Sequence, residues 1–321
     1  MKPFLFTLMV LWATACCGQQ INVFYLKNNG SYVNNVDSAE YTRVINAPDS
    51  GSALYKVSEY YKNGKKKLTG TSSAINPPRF KGPCLTFYPN GNRQGSYTYD
   101  GGVPVGSAYD YYPNGKLYRM IKYPDSVVRG NNHFKDNYLI IDNLDSVGKV
   151  QVAESKGYYR GFDEKFSYIK EQGPVNNGLR EGAWKGEDKT LKLTFIETYK
   201  NNELLSGSAT DSSSLTTTYS GARMTSPQFE GGYAAFSRYI RDHIIYPNDA
   251  RAHDIEGIVI LQFVLEKDGS VTEIKVLRSV SKSLDEEAVR VIRESPKWIP
   301  GTRFGRPVRV SYAVPVNFKL Q

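Results

Sequence analysis

Near the end of the chain, Val308, Val310, Tyr312, Val314, Val316 and Phe318 alternate with Arg309, Ser311, Ala313, Pro315 and Asn317. Strict two-residue alternation predicts a strand with one face on a core and one on solvent. Pro315 has no backbone N–H to offer a neighbouring strand, which places this strand at a sheet edge. An unpaired edge is an aggregation hazard unless something uses it, and one use is to accept a peptide strand from a partner. Upstream, Ile258 to Leu265 is apolar at nearly every position, which predicts a strand at least partly covered on both faces. Asp268-Gly269 supplies a hairpin turn, and Val271 to Leu277 returns from it. Helical periodicity flanks this pair. Tyr233, Phe236, Ile240 and Ile244 make one apolar face after Gly231-Gly232, and Tyr246-Pro247 ends that helix. A short second helix is predicted over Asn248 to His253. Ser283-Leu284-Asp285-Glu286 reads as a capping box before a helix whose Leu284, Ala288, Val291 and Ile292 face one way. Pro296 stops it, and Trp298 closes the core. Residues 225–321 thus read as an α+β domain, two helices on a small antiparallel sheet with an available edge.

Residues 21–224 carry a different pattern, an all-β region of repeated hairpins. Tyr60-Tyr61-Lys62-Asn63-Gly64-Lys65 returns as Phe87-Tyr88-Pro89-Asn90-Gly91-Asn92 and again as Tyr111-Tyr112-Pro113-Asn114-Gly115-Lys116. Asn-Gly between β-prone runs predicts a hairpin, since both residues tolerate the positive φ of a type I′ turn. The period of roughly 24–27 residues suits one hairpin per repeat. Gly178-Leu179-Arg180-Glu181-Gly182-Ala183-Trp184-Lys185-Gly186 resembles the start of a MORN-like repeat. The tyrosines read as packing between successive hairpins, with a binding face for a protein or glycan as the alternative. From Leu204 to Thr225 the chain turns to Ser, Thr and Gly, which predicts a final polar strand and a flexible linker.

At the start, Lys2 precedes an apolar stretch from Phe4 to Ala15, the pattern of a cleaved signal peptide over residues 1–20. That stretch is shorter than the ~20 residues that span a bilayer. Ala13-Thr14-Ala15 fits a cleavage site; followed by Cys16 it also resembles a lipoprotein box, in which Cys16 would carry the lipid.

Composition adds three points. The 24 Tyr beside 14 Phe tilt the expectation toward strands. A net charge of +9 raises nucleic acid as a partner, but the basic residues are dispersed and the export signal argues against it. His133, His243 and His253 are the only histidines, and none has zinc-ligand spacing. No nucleophile, phosphate-loop or dinucleotide motif appears, and Cys84 reads as a packing residue. The sequence implies no enzyme, no cofactor and no metal.

Ile245-Tyr246-Pro247, Ala250-Arg251, Gly257-Ile258-Val259, Phe263-Val264, Asp268-Gly269-Ser270-Val271, Leu284-Asp285, Ala288 and Trp298-Ile299-Pro300-Gly301 fall in an order and spacing that resembles the TonB C-terminal domain, from about Phe229 to Leu320. The resemblance implies a periplasmic module of a Gram-negative bacterium. Such a module binds the TonB box of outer-membrane transporters by β-strand addition and supports energy-coupled transport. It places the receiving edge at Val308, Arg309, Val310, Ser311, Tyr312, Ala313 and Val314 and onward to Phe318. Ile245, Tyr246 and Pro247 match the Tyr-Pro region beside the docked peptide; core packing for Tyr246 and helix punctuation for Pro247 are the alternatives. An energy-transducing TonB also has an uncleaved membrane anchor and a Pro-rich spacer. Here hairpin repeats stand in the spacer's place, so contact with an inner-membrane motor of the ExbB–ExbD type would go through another protein. The competing expectation is an envelope protein whose repeats bind another protein or peptidoglycan, with no role in transport.

Overall fold

The computed structural model describes residues 21–125 and 138–320; the leader with Cys16, and His133, lie outside them. The chain divides into two compact units, residues 1–159 with 177–179, and residues 160–176 with 180–321.

In the first unit, strands Ile21–Leu26, Tyr41–Asn46, Tyr55–Tyr61, Lys66–Ser72, Phe80–Phe87, Arg93–Asp100, Val103–Tyr111 and Leu117–Lys122 pair in succession, each antiparallel to the one before. Leu139–Leu144 and Val150–Ala153 continue the ladder. The Asn-Gly turns are not the expected type I′. Tyr61 N–H donates to Lys65 O and Gly64 N–H to Tyr61 O, both at 2.9 Å. The same two bonds recur at Tyr88/Asn92/Gly91 and Tyr112/Lys116/Gly115. Only the glycines, at φ 77, 96 and 85, are left-handed. Each turn is a three-residue loop closed by a glycine bulge. The asparagine does a different job: its side-chain oxygen accepts the N–H two residues on, at 3.0 Å for Lys65, 2.9 Å for Asn92 and 3.0 Å for Lys116.

The turns also hold one another. Tyr61, Tyr88 and Tyr112 donate their hydroxyls to the carbonyls of Phe87, Tyr111 and Leu144 at 2.7, 2.6 and 2.9 Å. Asn63, Asn90 and Asn114 donate side-chain N–H to Pro89, Pro113 and Ser146 carbonyls at 3.1, 2.8 and 2.9 Å. The repeated Tyr and Asn are therefore rungs between successive hairpins. Asp145–Lys149 has the same loop geometry, with Gly148 at φ 96, although no Asn-Gly marks it. Cys84 is buried on the Phe80–Phe87 strand, and burial, with a smaller push from Glu59, raises its thiol pKa to about 11, so it packs as an inert group.

The second unit begins with hairpins. Gly182–Asp188, Leu193–Lys200, Glu203–Asp211 and Thr216–Gly221 pair in order. Trp184 is fully buried, and its indole N–H reaches Pro174 O at 2.9 Å. The Ser/Thr-rich stretch is not a linker. It forms two strands in which Leu204 and Ala209 are buried, and a Cβ on Gly207 would sit 2.5 Å from the Tyr219 ring. Met224–Thr225 then pairs with Thr302–Arg303.

Helix α1 covers Gly232–His243, α2 Asn248–Ala252 and α3 Lys282–Arg293. The central strand Gly257–Leu265 lies between the return strand Val271–Arg278 and the final strand Val310–Phe318. Val259, Leu261, Phe263 and Leu265 of the central strand have no exposure and meet Leu284, Ala288, Val291 and Ile292 of α3, also fully buried, in one core. The opposite face of this strand is only half covered. Trp298 closes the core against Phe229, Phe236, Phe263 and Tyr312. Two local expectations are corrected. The α3 cap is Ser281, whose hydroxyl accepts Leu284 N–H at 3.3 Å. Ser283 lies inside the helix, because Asp285 is turned back to Ser279 Oγ and Val280 N–H. Tyr233, assigned by periodicity to the apolar face of α1, is 78% exposed.

Candidate functional site: an open sheet edge

The final strand pairs with the central strand alone, from Leu265↔Val310 to Gly257↔Phe318, and it is terminal in its sheet. Its other side offers backbone groups to which no described strand is paired. Val314, Val316 and Phe318 point into the core, while Ser311, Ala313, Pro315 and Asn317 are exposed. Pro315 stands opposite Ile260, in keeping with the edge position that its missing donor requires.

Two depressions lie along this edge. One, about 470 Å3, is lined by Phe229, Tyr233, Phe236 and Trp298 with Tyr312 to Pro315. The other, about 870 Å3, is lined by Ile240, Arg241, Tyr246 and Arg251 with Pro315 and Asn317 to Leu320. Tyr233 and Phe236 of α1 belong to both. The exposure of Tyr233 thus has a place in the fold: this turn of α1 stands beside the edge instead of covering the sheet. Aromatic walls occupy the first depression, and cations enter the second.

The sequence-predicted residues divide three ways. Val310, Ser311, Tyr312, Ala313 and Val314 are on the open strand. Val308 and Arg309 precede it: Val308 N–H closes a turn onto Gly301 O at 2.8 Å. Arg309 is held by Glu266 at 2.9 Å and by Glu273, and the hydrogen bonds it donates to these carboxylates raise its pKa. Tyr246 lines the second depression, but its hydroxyl donates to Ile255 O at 2.7 Å and its ring meets Phe318 edge-on. Ile245 is 67% exposed, with its N–H on Glu287 Oε1 at 2.6 Å. Pro247 caps α2. Neither Ile245 nor Pro247 lines the depressions.

Sequence reasoning missed Phe229, Tyr233 and Glu287. An aromatic two residues before Gly231-Gly232 was the available signal for the first. It also missed a charge cluster on the hairpins of this unit. Arg223 is bidentate to Glu197, from Nε to Oε1 at 2.7 Å and from Nη2 to Oε2 at 2.5 Å, and its Nη1 reaches Glu171 at 2.9 Å. Arg180 holds the other Glu171 oxygen at 2.6 Å. Burial pushes the Glu171 pKa upward, but Arg180 and Arg223 outweigh it and hold the carboxyl at about 2. Tyr219 and Tyr199 complete Glu197, donating at 2.7 and 3.0 Å. Every carboxylate here is saturated by cations and hydroxyls, which suits a structural joint. Among the described residues no group of His, Cys, Asp and Glu is arranged to hold a metal.

Residues 242–320 match the family model of the Gram-negative bacterial TonB protein C-terminal. No curated protein matches the chain. A solved structure is similar: the Helicobacter pylori TonB C-terminal domain, determined in solution by NMR, at 27% sequence identity over 27% of this chain and 95% of that one, with a TM-score of 0.22. The match of the family model, which takes in α2, α3, the three-stranded sheet and its open edge and begins at the last turn of α1, identifies residues 242–320 as a TonB C-terminal domain, carried here on a chain of β-hairpins.

Proposed function

We propose that this protein works in the periplasm or envelope of a Gram-negative bacterium, docking onto TonB-dependent outer-membrane transporters by adding their TonB-box segment to the open side of Val310–Phe318. The observation that carries this is the unpaired final strand flanked by an aromatic groove. Main-chain hydrogen bonds along the edge supply affinity in such a mode, and pockets for alternate side chains supply selectivity. Tyr233, Phe229 and Trp298 provide the apolar pocket, and Arg241, Arg251 and Lys319 give the far end a basic character. Docking of this kind is a binding event, and its role in transport is to couple the transporter to energy supplied elsewhere, through a partner that contacts the motor. Export through the leader, with Cys16 as a lipid attachment point, belongs to the same reading. In the repeats, the Tyr hydroxyls and Asn amides are engaged by neighbouring turns, which supports a scaffold more than a stacking surface for peptidoglycan or another protein.

Calorimetric titration of the full chain with peptides from transporter N-termini tests this. Tyr233→Ala removes an exposed ring and should raise Kd about 10-fold, or roughly 1.4 kcal/mol, with an unchanged thermal transition. Ala313→Pro places a ring without an N–H on the open strand and should abolish binding, with circular dichroism verifying the fold. Binding that is indifferent to both changes in folded protein, or no binding by the wild type, refutes the proposal.

A further inference from the structure

The start of the edge strand is fastened to the hairpins. Thr302–Arg303 and Arg306–Pro307 form a tight hairpin three residues ahead of Val310. Its tip is an aromatic plug. Phe304 is 4% exposed and packs with Leu193, Phe195 and Ala209. Its ring centroid lies 5.2 Å from Phe195 and 5.7 Å, edge-on, from Tyr219. Phe304 N–H donates to Arg223 O at 2.6 Å. Gly305, at φ 73, lets the tip approach the hairpin backbone: a Cβ there would lie 2.6 Å from Thr218 O. Cations sit on both sides. Arg306 binds Asp211 at 2.6 Å, Thr217 Oγ1 at 3.1 Å and Leu215 O at 2.6 Å. Arg303 binds Asp188 at 2.5 Å. Arg223, from the strand side, is itself locked to Glu197 and Glu171.

We infer that Thr302–Pro307 is a coupling plug, by which the edge strand and the hairpins of residues 193–221 open and close as one cooperative piece. A passive tether would need only a covalent link; this segment adds a buried aromatic, two strand pairings and two anchored guanidinium groups. Anything that loads or orders Val310–Phe318 is therefore transmitted to the hairpins through Phe304 and Arg306. The inference stands whether or not a peptide occupies the edge.

Native-state hydrogen exchange on the full chain tests it. In the wild type, amides of Leu193–Lys200 and of the paired side of Val310–Phe318 should exchange through a shared opening with the same protection. Phe304→Ala should lower both sets by one common factor, roughly 100-fold, as loss of a buried ring does. Arg306→Gln keeps the plug and should lower both together by a smaller factor, roughly 10-fold. It decides the matter alone if Phe304→Ala does not fold. Loss of protection confined to the hairpin amides, with Val310–Phe318 at wild-type values, would overturn the inference, as would no change in either set.

Discussion

At the scale of single residues, the joint around Arg223 shows how buried charge is tolerated. Glu171 is buried, which penalises its ionised form, and the guanidinium groups of Arg180 and Arg223 reverse the penalty. The consequence can be measured. The folded Glu171 pKa, about 2, lies below the ordinary glutamate value of 4.5. Its contribution is thus complete above the unfolded value and is lost as pH falls through about 2. The thermal midpoint of the wild type should therefore drop between about pH 5 and pH 2. Glu171→Gln should cost up to about 3 kcal/mol at neutral pH and flatten that slope. A wild-type slope unchanged in the variant would locate the acid sensitivity elsewhere. Gly269 is a second sensitive point. Its φ is 81 and a Cβ would lie 1.9 Å from the Trp298 carbonyl oxygen, so Gly269→Ala should lose at least about 1 kcal/mol in urea denaturation. Little of this was legible beforehand. Asp268-Gly269 announced a turn, but nothing in its sequence says that residue 298 closes over it; Arg223, Glu197 and Glu171 are too far apart in the chain to announce a cluster.

Among elements, periodicity was informative wherever one face is buried. The final strand and the face of α3 follow directly from alternation and helical spacing, since a one-residue error would put Val316 or Ile292 in water; the return strand, which buries no residue, follows from the Asp268-Gly269 turn instead. It failed where burial is uneven. Tyr233 satisfies the helical pattern of α1 yet stays exposed, because the sheet ends beneath it and leaves a groove. The Ser/Thr-rich stretch looks like a linker because strands can be built from small polar residues when a neighbour supplies the bulk, as Tyr219 does over Gly207. Asn-Gly is compatible with either of two hairpin loops, and the bonds that tie each turn to the next are contained in no local reading. Those bonds predict that Tyr88→Phe, which leaves Tyr111 O without its 2.6 Å donor, should cost about 1 kcal/mol in a denaturant titration while leaving the strand content seen by circular dichroism intact.

For the whole molecule, the sequence resolved two styles of construction, repeats and an α+β module, and the open edge of the latter. The plug at Phe304 was hidden because Thr302-Arg303-Phe304-Gly305-Arg306 reads as an ordinary polar turn; its phenylalanine becomes meaningful only once Phe195 and Tyr219 are brought against it. The hairpin ladder, meanwhile, acts as a ruler. Each Tyr and Asn rung must find the carbonyls of the turn beyond, so deleting a single strand would leave one set of rungs facing the wrong end of the sheet. Length can change here only by whole hairpins, in steps of roughly 25 residues. Related chains of different reach should therefore differ in quantised increments, like a ladder sold by the rung pair.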